Sequence, residues 1–536
     1  MLKLRLPLAI AAAALLAGLI AGCSRSTEDA DSNLKILHFG NGTEIQDLDP
    51  QIVTGVPENK VINAFFEGLV IEGPTGSDTQ PGVAESWETD DHVVWTFHLR
   101  PEAVWSDGTP LTAETFVRSY QRILTPSLAS EYAYHLHYLE NAEAFNVGEL
   151  DDFTQVGVKA IDEHTLQMTL RSATPYLPEM LKHYSWFPVP VHVIAEHNGL
   201  TLQGAPWTRT ENFVGNGSFV LKEWRVNQKI IAERSPTYWD RATVKLDQIH
   251  FYPIESIPTE ENMFRTGALH KTNELTLSKR EVYKRDFPES YRQDPYMGSY
   301  FYRVNVTRPP LDDVRVRKAL ALAFDRETIM TNVVKGGEQP AYNFCPPSIK
   351  FTARAQLEGD LETARQLLAD AGYPNGEGFP RIEILFNTQD NHKVIAEAIQ
   401  QMWRRNLGID VGVYNQEWKV YLDSQDNLDY DVSRSGWIAD YTDPSTFMDM
   451  WVTDGGNNDT GWSNAEYDAL IEKSYNVASD EERMEIYQRL EEIIVEELPI
   501  IPVYFYTRVY ALSPKVTGWP INVLDNRSWK YVGLTE

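Results

Sequence analysis

Cysteine is nearly absent: the 536 residues contain two, Cys23 and Cys345. No disulfide framework is therefore available to staple the fold, and neither a C-x-x-C pair nor a zinc-type Cys/His set occurs. Positive charge is also scarce. Forty-eight Lys and Arg stand against 77 Asp and Glu, a formal net charge of −29, with no basic cluster anywhere. Such a surface repels phosphate backbones, so nucleic acid is not an expected partner. Catalytic signatures are missing too: there is no G-x-S-x-G elbow, no H-E-x-x-H and no P-loop. Gly215-Asn216-Gly217-Ser218 starts like a dinucleotide fingerprint, but Val220 occupies the place of the last glycine. The run from Asp426 to Asp431 lacks the glycine and glutamate of a calcium loop. His135 and His137 form a metal pair only if they lie on a strand, and among Tyr132, Tyr134 and Tyr138 they read as core or surface histidines. No metal, no cofactor and no catalytic residue is expected. A secreted hydrolase using paired acids is the alternative from another class.

What is present begins with an address. Lys3 and Arg5 precede an apolar run over 6–20, followed by Ala21 and Gly22. The run is short for a membrane span, which needs about 20 apolar residues, and reads as an export signal over 1–22. Ile20-Ala21-Gly22-Cys23 resembles the lipobox of bacterial lipoproteins, which implies acylation of Cys23. Residues 23–33 are small, polar and charged, suited to a tether. The expected location is the periplasm or cell surface, lipid-anchored through Cys23. Cys345, beside two prolines, is then a lone buried thiol.

The length requires more than one core. No internal repeat is visible, and strand and helix signals alternate, which gives α/β lobes. Val93, Trp95, Phe97 and Leu99 fall on one strand face, as do Leu166, Met168 and Leu170. Residues 382–386, 411–413 and 501–506 read as buried strands. Leu361, Ala364, Leu367, Leu368 and Ala371 have helical spacing ending at Gly372. Val394, Ile395, Ala398, Ile399, Met402 and Trp403 make a second stripe closed near Gly408. Ser479 and Glu482 open a third helix as a capping box.

Several ordered runs carry a resemblance. They are Gln80-Pro81-Gly82-Val83-Ala84-Glu85-Ser86-Trp87, Trp105-Ser106-Asp107-Gly108-Thr109-Pro110, Ser235-Pro236-Thr237-Tyr238-Trp239-Asp240 and Asp313-Val314-Arg315-Val316-Arg317. Asn415-Gln416-Glu417-Trp418-Lys419 and Ser433-Arg434-Ser435-Gly436-Trp437-Ile438-Ala439-Asp440-Tyr441 complete the set. Together, from Leu34 to the end, they resemble the oligopeptide-binding members of the extracellular solute-binding protein family 5, the peptide receptors of ABC importers. The resemblance implies a two-lobe periplasmic-binding-protein (Venus-flytrap) fold of the large type with an inserted subdomain. Lobe I would span 34–297 and 508–536, with the insertion at about 67–186, and lobe II would span 298–507. The partners implied are a short peptide and a permease of two membrane subunits with ATPases; the receptor itself would be a monomer. Murein peptides or another non-peptide solute are the alternative ligands.

By the same resemblance Asp440 receives the peptide ammonium. Segments 53–57, with Thr54, Gly55 and Val56, and 435–438, with Gly436, Trp437 and Ile438, hold its backbone as an added strand. Trp418 and Trp437 wall side-chain pockets, Tyr132 and Phe301 contribute contacts, and Arg434 and His392 anchor the carboxylate. Gln425, Thr54 and Val334 stand where the family's pattern has an arginine, an acid and a lysine, so its preference for peptide length does not carry over.

Overall fold

The computed structural model describes residues 34–348, 350–477 and 479–535. The expected signal peptide, Cys23 and the tether lie outside the described residues. Residues 1–35 and 36–536 form separate units, and the following concerns the second. Among the described residues no helix is long and apolar enough to cross a membrane.

Three sheets of four or more strands organise the described part of this unit. The first runs in the order Ile36–Gly40, Gln248–Tyr252, Lys229–Arg234, Phe219–Arg225, with only its first pair parallel. The second is antiparallel, in the order Ala84–Glu88, Val94–Leu99, Thr165–Thr169, Val158–Asp162. Its strands follow the alternation in the sequence: Trp95, Phe97, Leu99, Leu166 and Met168 are buried and their neighbours half-buried. The third has six strands, Gln339–Pro340, Ile500–Ala511, Tyr291–Val304, Val432–Ile438, Ile382–Asn387 and Val411–Gln416. Parallel pairing of Ile382–Asn387 with Val411–Gln416 and with Val432–Ile438 needs crossovers, which the helices Asp390–Leu407 and Trp418–Asp426 supply.

The helix Asp390–Leu407 ends at Gly408, whose φ of 74° only glycine adopts cheaply. Its buried face is rotated from the expected stripe: Ile395, Ala396, Ile399 and Trp403 are buried, while Val394 is 46% exposed. The cause is polar. Asn391 is buried because its side chain bonds Leu275 and Leu277, which turns that side of the first turn inward. Ser479 accepts from the Glu482 N–H at 3.2 Å and opens the helix Asp480–Glu497. Cys345 is buried and free, in line with its sequence reading.

One irregularity positions the site. Val432–Ile438 pairs along its whole length with Tyr291–Val304. On its other side it pairs with Ile382–Asn387 only at Val432 and Ser433. Residues 434–438 therefore keep one edge free of strand partners.

Candidate functional site

That free edge borders a cavity of about 230 Å³. Thr54, Gly55, Val56, Tyr132, His392, Trp418, Arg434, Gly436, Trp437, Ile438 and Asp440 all line it. Phe301 does not. It is fully buried against Phe344 and Trp451, because alternation along Tyr291–Val304 sends Phe301 to the opposite face from Tyr300 and Tyr302. The segment 53–57, expected to hold the ligand backbone, is mostly a loop running into a helix. A helix, Val56–Phe65, starts there, with Pro57 in its first turn, where a fixed φ favours helix. Only Val53, Thr54 and Gly55 precede it.

Asp440 follows the free edge and is 8% exposed. Its carboxylate accepts from Tyr132 Oη at 3.3 Å and Thr446 Oγ1 at 3.1 Å. His183 Nε2 and His135 Nε2 lie 3.3 and 3.4 Å from it. Burial pushes this carboxyl up, but His183, His135 and Thr446 together hold it below the ordinary value. It is ionised at neutral pH, and no Lys or Arg pairs with it among the described residues. The turn behind it is fastened by a second buried acid. Asp443 accepts from Arg483 at 2.7 and 2.9 Å and from the Ser445 N–H and Oγ at 3.1 and 3.0 Å.

Arg434 has no acidic partner among the described residues. Nη1 donates to Asn387 at 3.2 Å, Nη2 donates to Tyr506 Oη at 2.6 Å, and the guanidinium lies over the Tyr300 ring. His392, held well below its ordinary pKa by burial and by Arg434, is neutral. Glu131 adds an acidic wall, pushed up to about 8 by burial and Asp426 against the pull of Arg303. Arg303 is itself paired with Asp459. Gln425 is tied to Tyr421 and Ser433, and Val334 is packed in a core away from the cavity.

Trp418 Nε1 donates to Glu58 Oε1 at 3.1 Å. Glu58 has no exposure, and burial pushes its carboxyl up to about 7 despite hydrogen bonds from Gln46 and Trp418. The folded chain thus holds a proton that the unfolded chain releases near 4.5, so the stability contribution of Glu58 falls as pH rises from about 4.5 through about 7. Glu58→Gln keeps an acceptor for both donors and removes the titration. The variant is expected to gain about 3 kcal/mol over the parent at about pH 8 and nothing at about pH 4, read from urea midpoints. An unchanged pH slope would reject this account.

His135, His183, Thr446, Glu131 and Tyr506 were missed as site residues from sequence. Only the His135-x-His137 spacing gave a signal. The core reading of that pair holds for His135, which a 3₁₀ segment, Ala133–Tyr138, turns inward towards Asp440.

The profile of the bacterial extracellular solute-binding proteins, family 5 Middle, matches residues 78–459. The chain is 38% identical over 526 residues to the periplasmic oligopeptide-binding protein OppA of Salmonella typhimurium, covering 95% of each. It is similar to the crystal structure of Haemophilus influenzae OppA in complex with RPPGFSPFR, with a TM-score of 0.89 and 33% identity over 94% of this chain and 100% of that one. Against the unliganded open form of the murein tripeptide-binding protein MppA the TM-score is 0.61, at 34% identity over 94% of this chain and 98% of that one. The arrangement here is therefore that of the peptide-bound neighbour rather than the open one.

Proposed function

We propose, because the chain belongs to the bacterial extracellular solute-binding proteins of family 5, that it captures short peptides between its two lobes and passes them to an ABC permease. One observation carries this reading. A buried, ionised Asp440, without a Lys or Arg partner among the described residues, follows a strand whose edge at 434–438 is free of strand partners among them. An extended peptide satisfies both at once, its ammonium meeting Asp440 and its backbone continuing the sheet. Arg434, held only by neutral groups, receives the carboxylate, with His392 beside it. Trp418, Trp437 and Tyr132 supply aromatic walls, and Thr54, Gly55 and Val56 face the guest from the other side.

The proposed lobe I comprises 34–297 and 508–536 with its insertion at about 67–186, and lobe II comprises 298–507. A register break in the pairing of Tyr291–Val304 with Ile500–Ala511, between Pro295 and Ser299, supports a hinge there. The protein is not an enzyme and acts as a monomer in the periplasm or on the cell surface, anchored through Cys23. That anchor rests on the sequence alone, and labelling with a fatty acid that fails on Cys23→Ser tests it.

Native mass spectrometry of the purified protein is expected to show co-purified short peptides, released intact after incubation. Their steady turnover would favour the hydrolase alternative, and a bound species of another chemistry would overturn the peptide reading. Gly436 gives a sharper test. A Cβ there would lie 2.5 Å from the Tyr506 hydroxyl, which holds Arg434, and would face the guest backbone. Gly436→Ala is expected to weaken trialanine binding about tenfold by calorimetry. Unchanged affinity would remove this strand from the contact.

A further inference from the structure

The amine seat contains a group that Asp440 alone does not explain. His135, 1% exposed, places Nε2 3.4 Å from Asp440 Oδ2, and among the described residues that nitrogen has no hydrogen-bond partner. Ser185 fixes the protons around it. The Ser185 N–H donates to His183 Nδ1 at 3.3 Å, and Ser185 Oγ lies 2.9 Å from His183 Nδ1 and 3.0 Å from His135 Nδ1. His183 Nδ1 is thus an acceptor, and its proton sits on Nε2, 3.3 Å from Asp440 Oδ1. The Ser185 hydroxyl donates to His183, so its oxygen accepts from His135 Nδ1–H. Neutral His135 then presents a bare lone pair to a carboxylate oxygen, and two acceptors face each other in a buried site.

We propose that His135 shares the amine seat with Asp440, carrying a proton and pairing with the carboxylate when no amine is bound, and giving up that proton to accept an N–H from the ligand's ammonium. This deepens, and rests on, the peptide reading above. The bond count balances. One N–H bond at His135 Nε2 breaks, its proton goes to solvent, and an ammonium hydrogen bond replaces it. The buried site holds zero net charge in both states, imidazolium with carboxylate in one and ammonium with carboxylate in the other. Without the exchange a net positive charge would be buried.

The remaining groups facing His135 do not take over this role. His183 is pushed down to about 3 by burial, against the pull of Asp440, and stays neutral. The rings of Tyr132, Tyr134 and Tyr441 pack around His135, and burial raises all three hydroxyls well beyond neutral pH. His137, two residues on, faces away and bonds Asn146 at 3.1 Å. His135 is therefore the group left to exchange its Nε2 hydrogen bond with the ligand's ammonium.

Calorimetry of the full chain with trialanine, in buffers of different ionisation enthalpy between about pH 5 and about pH 8, reads the proton directly. Trialanine binding is expected to release up to about one proton where His135 is charged in the free protein. Affinity should fall about tenfold per pH unit below that titration. His135→Gln is expected to bind with no proton release and a flat pH profile, while His137→Gln behaves as the parent. If His135→Gln folds poorly, the His135 ring proton followed by NMR in the parent serves instead, titrating in the free protein and not in the complex. Trialanine binding without proton release, or release that survives in His135→Gln, overturns the proposal and leaves the peptide reading standing. Failure of the parent to bind trialanine or any other free-amine tripeptide overturns both.

Discussion

Asp440→Asn is expected to reduce trialanine affinity by about 10²- to 10³-fold while leaving the unfolding midpoint nearly unchanged. The size follows from burial. An ammonium brought into a closed site without its anion leaves an uncompensated charge, which costs about 3–5 kcal/mol, and each 1.4 kcal/mol is about tenfold in affinity. The variant keeps the shape of the site and the Thr446 contact, so the fold has no reason to suffer. The control is N-acetyl-trialanine, which lacks the charge. It should bind the parent poorly and lose little further affinity to Asp440→Asn, since both halves of the pair are then gone. Isothermal calorimetry on the four combinations separates the charge pair from general damage. Near-equal affinity of trialanine for parent and variant would mean that Asp440 does not meet the amine.

The second large effect concerns stability. Asp443 and Arg483 form a double hydrogen-bonded ion pair, both buried, with the guanidinium also over Tyr176. Arg483→Met strands Asp443 among tyrosines, with Lys350 at 3.8 Å as the one remaining ion-pair partner among the described residues. A loss of about 3–5 kcal/mol is expected, measured as a lowered urea midpoint. Pairing it with Asp443→Leu should recover most of that loss, because desolvation of the lone carboxylate disappears. A single variant as stable as the parent would show that the pair contributes nothing net. Asp443 also holds Ser445 in the turn after Asp440, so Arg483→Met is expected to weaken trialanine as well.

The strands and helices were legible where pattern and period agree. Trp95, Phe97 and Leu99 alternate cleanly, and Gly408 and Gly372 stop helices where expected. Where every residue is apolar the period carries no phase. Tyr300-Phe301-Tyr302 reads alike in either register, so the sequence does not say that Phe301 faces Phe344 while Tyr300 supports Arg434. Helix phase failed at Val394 for a related reason. A buried asparagine, Asn391, outweighed the valine, and hydropathy ranks them the other way. The site itself was visible through local runs, above all from Arg434 to Asp440. What stayed hidden joins distant parts of the chain: His135 and His183 meet Asp440 from positions that no spacing relates to it. Glu58 and Trp418, 360 residues apart, are another such pair.

The unpaired edge at 434–438 has a consequence for what is kept out. Bare strand edges ordinarily recruit neighbouring molecules and seed aggregation. This one opens inside a cavity of about 230 Å³, out of reach of another folded protein's sheet. A thin, unfolded chain can thread to it, and a globular competitor cannot. Recessing the edge thus makes selection by girth possible, admitting an extended chain while denying a folded neighbour's sheet the same pairing.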